Sequence, residues 1–483
     1  MSNSSSFRHK TVSGLKWSLI NQVVQFIFQF SSSIILARLL LPEDYGLFGM
    51  VNVISGFAMI FANFGLGSAI IQSKRISEAQ LSSIFWLNVI IGGALTITFF
   101  VLAGPIATFY GDSRLVEVTR IIGLNFIVLS VGLVHSSLLS KKMDFKAIFF
   151  LNFLVVAISL ILAIYLAING FGVFALVVQS LLSYFLRSLL LFFAVKWKPK
   201  FTFSIKSISH QLKFSSFLFG TNSIRYWTRN ADNLLIGKFL GPDTLGIYTK
   251  SYSIMMLPLS NIASVISRVI FPSFSMIQDD IEKIKSVYFK ITKAIALISF
   301  PLMLGLCVTA DVFIPVVFGQ NWSEMIFIVQ VLSLIAIPQS IGTLNGNLYL
   351  FCGKTKFQFK VTTIMHLIVV AFIAYGVTQG LKTLVICYGL GSLLIMYHNF
   401  KYPLSLINAK FIELVLNLLP IFIYATVMAI VVRLIHIGLS DQLEDAFLLL
   451  IDIISGITIY SVLLISFESN FLSYLLKLVR KNA

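Results

Sequence analysis

Asn222 to Tyr248 reads NSIRYWTRNADNLLIGKFLGPDTLGIY, in the middle of an otherwise apolar chain. Its first half sets Arg225, Arg229 and Asp232 at i, i+4 and i+7, which on a helix is one face, beside Asn222. An ionisable group turned to lipid is costly, so such a stripe points into a bundle or a watery cavity. It is either a substrate path or an internal Arg–Asp pair that locks two helices together. The second half, KFLGPDTLGIY at 238–248, echoes RLLLPEDYGLF at 38–48. Leu40 matches Leu240, Pro42 matches Pro242, Glu43 matches Asp243, Gly46 matches Gly246 and Phe48 matches Tyr248. Upstream, Leu15-Lys16-Trp17-Ser18 returns as Leu212-Lys213-Phe214-Ser215. The chain therefore repeats itself.

Composition says in which solvent the repeat folds. Of 483 residues, 58% are hydrophobic and only 11% charged, with mean hydropathy +0.93. Soluble domains carry about 25% charged residues, so this is an integral membrane protein. Apolar blocks of about 20 residues recur, each enough to cross ~30 Å as a helix and about twice the length of a barrel strand. Fourteen spans are expected: 12–37, 46–71, 81–108, 115–139, 147–168, 172–195, 211–237, 245–275, 291–318, 325–351, 361–378, 381–400, 413–436 and 446–467. The first follows Arg8, His9 and Lys10 but has no small-residue cleavage signature, so it reads as a retained span. The fold class is an all-α polytopic membrane protein, with 14 transmembrane helices in two pseudo-symmetric six-helix lobes plus two extra C-terminal helices. Residues 1–195 form the N-lobe, 196–210 a basic cytoplasmic linker, 211–400 the C-lobe, and 401–483 the last two spans with an interfacial tail.

Lys and Arg alternate in phase with these spans. One side gathers Lys141, Lys142, Lys146, Lys196, Lys198, Lys200 and Lys477, whereas the other holds little more than Arg38, Arg114, Lys238, Lys382 and Arg433. The positive-inside rule then places both termini in the cytoplasm. Six spans separate the two copies of the repeat, so both enter from the same side, and in such folds the substrate site lies between the halves. The net charge of +17 is read as topology and contact with anionic headgroups; no nucleic acid is expected.

Besides the stripe, Arg187, Lys250, Arg268, Asp311 and Asp452 lie at membrane depth, which makes five cations against three carboxylates. A cationic interior favours an anionic solute, and arginine holds phosphate bidentately. Lys250 is near an outer end, where a structural or snorkelling role competes, and Arg268 is near an inner end, where headgroup contact competes. Asn21, Gln25 and Gln29 form an amide stripe at i, i+4 and i+8, suited either to sugar hydroxyls or to bonding between helices. Glu43-Asp44, in the first outer loop, would suit a glycosyltransferase acting on lipid-linked sugars, but an acid before a helix start is better explained as a cap. Isolated histidines, three cysteines without CxxC spacing, and the absence of a nucleophile elbow or Walker-type loop give no sign of a catalytic or metal centre, and no cofactor is expected.

LARLLLPEDYGLFGM, NLLIGKFLGPDTLGIYTKSYSIMMLP and SRVIFPSFSMIQ resemble the polysaccharide-transporter branch, the Wzx-type flippases, of the multidrug/oligosaccharidyl-lipid/polysaccharide (MOP) exporter superfamily. The resemblance covers essentially the whole chain. It implies a non-enzymatic flippase of the bacterial cytoplasmic (inner) membrane. Such a protein carries an undecaprenyl-pyrophosphate-linked oligosaccharide across by alternating access, for O-antigen, capsule or exopolysaccharide synthesis. The partners implied are that lipid-linked substrate, membrane lipids and the polysaccharide polymerase machinery. By the same resemblance Arg225 and Arg229 would hold the pyrophosphate, with Asp232 orienting them. Lys250 and Arg268 would add to the field, and Asn21, Gln25 and Asn222 would meet sugars. Span 1 here has Lys16 and amides where some relatives carry arginines. The alternatives are a cation-coupled drug exporter of the same fold and a membrane glycosyltransferase or polymerase.

Overall fold

A computed structural model describes residues 2–63, 66–73, 76–142, 144–204, 209–275, 280–471 and 473. Within these, side chains are described except at 2–19, 63, 209–218, 221–222, 224–225, 228 and 260–275. Among the described residues there is no strand. Packing divides the chain into one unit over Met1–Thr249 and a second over Lys250–Ala483.

The first unit contains α1 (Ser2–Leu39), α2 (Pro42–Asn63), α3 (Leu66–Gln72), α4 (Glu78–Tyr110), α5 (Leu115–Lys141), α6 (Phe145–Ile168), α7 (Val173–Ala194) and the first arm of α8 (Ser209–Ser275). The second contains the rest of α8, α9 (Ile281–Phe318), α10 (Met325–Gly342), α11 (Asn345–Phe351), α12 (Thr355–Val377), α13 (Leu381–Ser405), α14 (Phe411–Leu439) and α15 (Asp445–Phe467). Twelve stretches among the described residues are long and apolar enough to cross a membrane. They coincide with twelve of the expected spans, and α8 runs through the other two, 211–237 and 245–275. Its helix is interrupted between them at Gly241, whose φ of 86° and ψ of 178° only glycine adopts without strain. Outward side chains such as Val101, Ile161, Phe193 and Leu434 stay two-thirds or more exposed or close to it, which suits lipid and not water.

Helix boundaries follow from local chemistry. Pro42 opens α2, where its missing N–H costs nothing, and Glu43 and Asp44 fill the first turn. Ser77 and Gln80 form a capping box at the start of α4. Asp144 and Asp280 accept from the Ala147 and Lys283 amides to begin α6 and α9.

The repeated PxxxG segments meet each other. A Cβ on Gly46 would overlap the backbone carbonyl of Pro242, and one on Gly246 would overlap that of Pro42. Each copy thus seats its glycine on the other copy's proline carbonyl, a reciprocal backbone contact of the kind two-fold packing generates. Leu245 fills the space beside Gly49 and Gly237, and Lys238 donates to the Phe109 carbonyl at the end of α4. Tyr226 donates to the Val53 carbonyl at 2.7 Å. These contacts tie the first arm of α8 to α2 and α4. The packing boundary therefore falls at 249–250, while the repeat places the halves on either side of 196–210.

The expected linker is non-helical from Val195 to Ser204 and docks on the start of α4. Ser82 and Ser83 accept from the Lys200 and Ser204 amides at 3.1 and 3.0 Å, the Trp86 indole donates to the Lys200 carbonyl, and Lys200 pairs with Glu78. Residues 205–208 and the expected interfacial tail beyond 473 lie outside the described residues.

In the second unit, several polar groups at membrane depth are satisfied by one another, as a medium without water favours. Tyr288 donates to Asn345, which donates to the Asn399 carbonyl, both at 2.8 Å. Ser299 bonds Ser340, and Tyr460 reaches the Leu297 carbonyl. A charged cluster joins α9, α14 and α15. Arg433 pairs with Asp311 at 2.5 Å, and His436 sits between Asp452 at 2.7 Å and Asp311 at 3.7 Å. Both His436 and Asp452 are buried. Removing one member strands the other, at about 3–5 kcal/mol for a buried pair. His436→Ala is therefore expected to lower the melting temperature in detergent sharply, and to cost much less when Asp452→Asn has already removed the charge. Equal losses in the two backgrounds would show that the pair is not coupled.

Candidate functional site

The α8 backbone is helical through 209–240, so positions 222, 225, 229 and 232 do share one face. The opposite flank is committed to packing. Tyr226 and Trp227 stand against Phe57 of α2 with ring centroids 6.0 and 5.1 Å away, and Phe219 against Phe61 at 4.6 Å. That anchoring leaves Arg229 exposed, with no hydrogen bond or ion pair among the described residues. The side chains of Asn222, Arg225 and Arg268 fall outside the described residues.

Asp232 does not serve Arg229 as expected. One oxygen accepts from the Tyr248 hydroxyl at 2.9 Å and the other from the Asn233 amide at 2.8 Å. The cause is geometric: the break at Gly241 brings Tyr248 back onto the carboxylate, whereas side chains on a helix lean towards its N-terminus and carry Arg229 away. The internal Arg–Asp lock is absent between these two residues, and Arg229 keeps its charge uncompensated by Asp232.

On α1, Phe28, Leu36 and Leu40 pack against Leu160, Ala163, Ala167 and Leu176 of α6 and α7. Gln25 and Gln29 are exposed on the other side and bond no neighbouring helix among the described residues. Asn21 likewise has a buried Oδ1 without a partner. Among the described residues the amide stripe therefore makes no hydrogen bond between helices. Lys250, in the second unit, is buried among aromatic rings. It is 5% exposed, with its ammonium 5.6 Å from the Phe318 ring and 5.8 Å from the Trp322 ring. Asn345 is likewise spent on packing.

The acidic pair of the first outer loop is engaged as a cap and a clasp. Asp44 accepts from the Leu41 amide at 3.0 Å, and Glu43 pairs with Arg114, which also holds Asp112 at 2.7 Å. The Arg114 hydrogen bond keeps the Asp112 carboxyl below the usual carboxylate range. An exposed pair of this kind is worth about 0–1 kcal/mol. Glu43→Gln is expected to leave both protein level and surface polymer unchanged. Loss of polymer while the lipid-linked precursor still crosses would mark Glu43 as catalytic.

Sequence reasoning counted Asp311 and Asp452 at membrane depth but set Arg433 among the few outer-side cations and did not pair it, or His436, with them. The i, i+3 spacing of Arg433 and His436, which sets them on one face of α14, was the available signal. Among the described residues no group of three or more His, Cys, Asp or Glu is placed to hold a metal ion.

Comparison with known proteins places this geometry. Residues 35–327 match the family model described as polysaccharide biosynthesis protein. The chain is 29% identical over 380 residues to the lipopolysaccharide biosynthesis protein WzxC of Escherichia coli (strain K12), covering 77% of this chain and 76% of that protein. Among solved structures it resembles the lipid II flippase MurJ in an inward closed conformation. The TM-score is 0.76 at 19% identity, covering 95% of this chain and 100% of that one. A multidrug resistance MATE family transporter of the MOP superfamily, inward-facing, gives a TM-score of 0.64 at 16% identity, over 80% and 94% of the two chains.

Proposed function

The chain belongs to the polysaccharide biosynthesis protein family, and from that premise we propose that it is a flippase for a polyprenyl-pyrophosphate-linked oligosaccharide. It moves the repeat unit across the bacterial inner membrane by alternating access, for assembly of a surface polysaccharide outside. It does so without enzymatic chemistry, and its termini face the cytoplasm. The observation that carries this reading is the uncompensated Arg229 on the exposed face of α8, at bilayer depth and in register with Arg225. A desolvated guanidinium needs an anion, and the pyrophosphate is the dianionic part of such a substrate. Asn21, Gln25 and Asn222 supply amide donors and acceptors for the sugar hydroxyls. The polyprenyl tail stays in lipid, where its burial costs nothing. Lys250 contributes charge from within an aromatic setting and does not touch the substrate.

Deleting the gene is expected to abolish surface polymer and to leave a single polyprenyl-pyrophosphate oligosaccharide accumulating unpolymerised, identifiable by mass spectrometry of the lipid extract. A deletion strain that lacks polymer but accumulates no such lipid would refute the flippase reading.

A further inference from the structure

The first unit holds a cavity of about 400 Å³ between α3, α5 and α7. Its wall mixes leucine and isoleucine side chains with six hydroxyls, and carries Arg187 of α7 and no carboxylate. Three of the hydroxyls are spent inside the protein. Ser137 and Ser140 donate to the Leu133 and Ser136 carbonyls at 2.9 Å, and Ser188 donates to the Val128 carbonyl at 2.7 Å. The others, Ser68, Ser136 and Tyr184, have no hydrogen-bond partner among the described residues, and Arg187 has neither a hydrogen bond nor an ion pair there. Two glycines keep the space open. An added Cβ would lie 3.0 Å from the Ser137 hydroxyl at Gly67, and 2.6 Å from the Ser188 hydroxyl at Gly132.

Charge tells what this space is for. Lys141, next to Ser140, places its ammonium 3.1 and 2.7 Å from the Ile70 and Ser73 carbonyls at the end of α3, so the field at that rim is positive as well. An arginine within a membrane span and without a partner calls for an anion or water. The free groups that surround it are all capable of donating: a five-donor guanidinium fork and three hydroxyls. Oxygen-rich tetrahedral anions are what such a set accepts best, two bonds coming from the guanidinium in parallel. The volume is at the low end for ligand sites, enough for a phosphorylated head and too small for an oligosaccharide.

We propose that this cavity is a phosphate site for a lipid head, with Arg187 making the bidentate contact and Ser68, Ser136 and Tyr184 donating the remaining bonds. The proposal rests on the flippase reading and adds to the α8 stripe a second cationic site, on a different helix. The phosphate has two possible sources, the pyrophosphate of the transported lipid or the phosphodiester of a bulk anionic phospholipid.

Native mass spectrometry on the full chain in detergent tests it, with farnesyl pyrophosphate and phosphatidylglycerol as the probes. Arg187→Ala is expected to weaken binding of at least one probe about tenfold or more, as loss of a charge-assisted contact does. Arg187→Lys, which keeps the charge and loses the fork, should fall between. Ser136→Leu should weaken binding with the guanidinium still present, by filling the cavity. Loss confined to farnesyl pyrophosphate assigns the site to the transported lipid; loss that includes phosphatidylglycerol assigns it to lipid phosphate in general, and either supports the site. Wild-type binding of both probes by Arg187→Ala and Ser136→Leu overturns it. If those variants bind normally and wild-type protein still translocates a lipid-linked oligosaccharide, only the cavity assignment falls. If binding depends on Arg187 but wild-type protein translocates nothing, the site stands and the flippase reading falls.

Discussion

Gly46→Ala is expected to remove nearly all folded protein from the membrane, and Gly246→Ala to do the same. The two glycines face each other's proline carbonyls so closely that a single methyl meets backbone, not a side chain that can swing aside. Overpacking against movable side chains costs about 1–3 kcal/mol, and a backbone collision exceeds that. Against a typical stability of about 5–15 kcal/mol, either change approaches the threshold for folding. Gly104, in the last two turns of α4 with nothing within 4 Å of its would-be Cβ, is the control. There the same substitution should be close to neutral, the better helix propensity of alanine being offset by the restriction that the following Pro105 places on a residue with a Cβ. Because Gly46 and Gly246 belong to one contact, the double variant should cost less than the two losses added together. Fluorescence-detected size exclusion on tagged protein reads all four variants. Normal levels of Gly46→Ala would mean that the two repeat copies do not meet as described.

Arg229→Ala and Arg225→Ala are the second large effect. Each is expected to reduce surface polymer at least tenfold while the protein remains in the membrane at its normal level, and the double variant to abolish polymer. A charge-assisted contact to phosphate is worth about 1.5–3 kcal/mol, or roughly 10- to 150-fold in affinity. Folding should be spared at Arg229, because its side chain is exposed and pairs with nothing among the described residues. Arg229→Lys should retain part of the activity, since it keeps a point charge but not the planar fork. Lys250→Met, by contrast, should change protein stability before it changes transport, because the ammonium lies among Phe318 and Trp322. The opposite pattern, transport lost at full stability, would restore Lys250 to the substrate path.

The membrane-spanning helices were legible in the sequence because hydropathy over about 20 residues is a property of composition, not of packing. The repeat was legible too, down to its matched prolines and glycines. The reciprocal seat of those glycines on Pro42 and Pro242 is a tertiary fact that no local pattern encodes. The hydrogen-bond partner of Asp232 was out of sight for a related reason. That partner, Tyr248, lies sixteen residues away across the break at Gly241, whereas i, i+3 and i+4 reasoning sees only the arginines beside Asp232. The pairing of His436 and Arg433 with Asp452 and Asp311 escaped because it joins α14 to α15 and α9, which no local spacing reveals. Arg187 was counted as a charge at membrane depth, but four of the six hydroxyls that gather with it, Ser68, Ser136, Ser137 and Ser140, come from α3 and α5, far off in sequence.

Transfer of the lipid head itself is the most direct test of the α8 stripe. Purified chain in proteoliposomes would be loaded with a fluorescent polyprenyl-pyrophosphate oligosaccharide, and the label reaching the outer leaflet followed by a membrane-impermeant quencher. Wild-type protein should bring the lipid across, and the Arg225→Ala/Arg229→Ala variant, equally folded, should do no better than empty vesicles. Transfer by that variant at the wild-type rate would contradict a phosphate-capturing role for the arginines of α8.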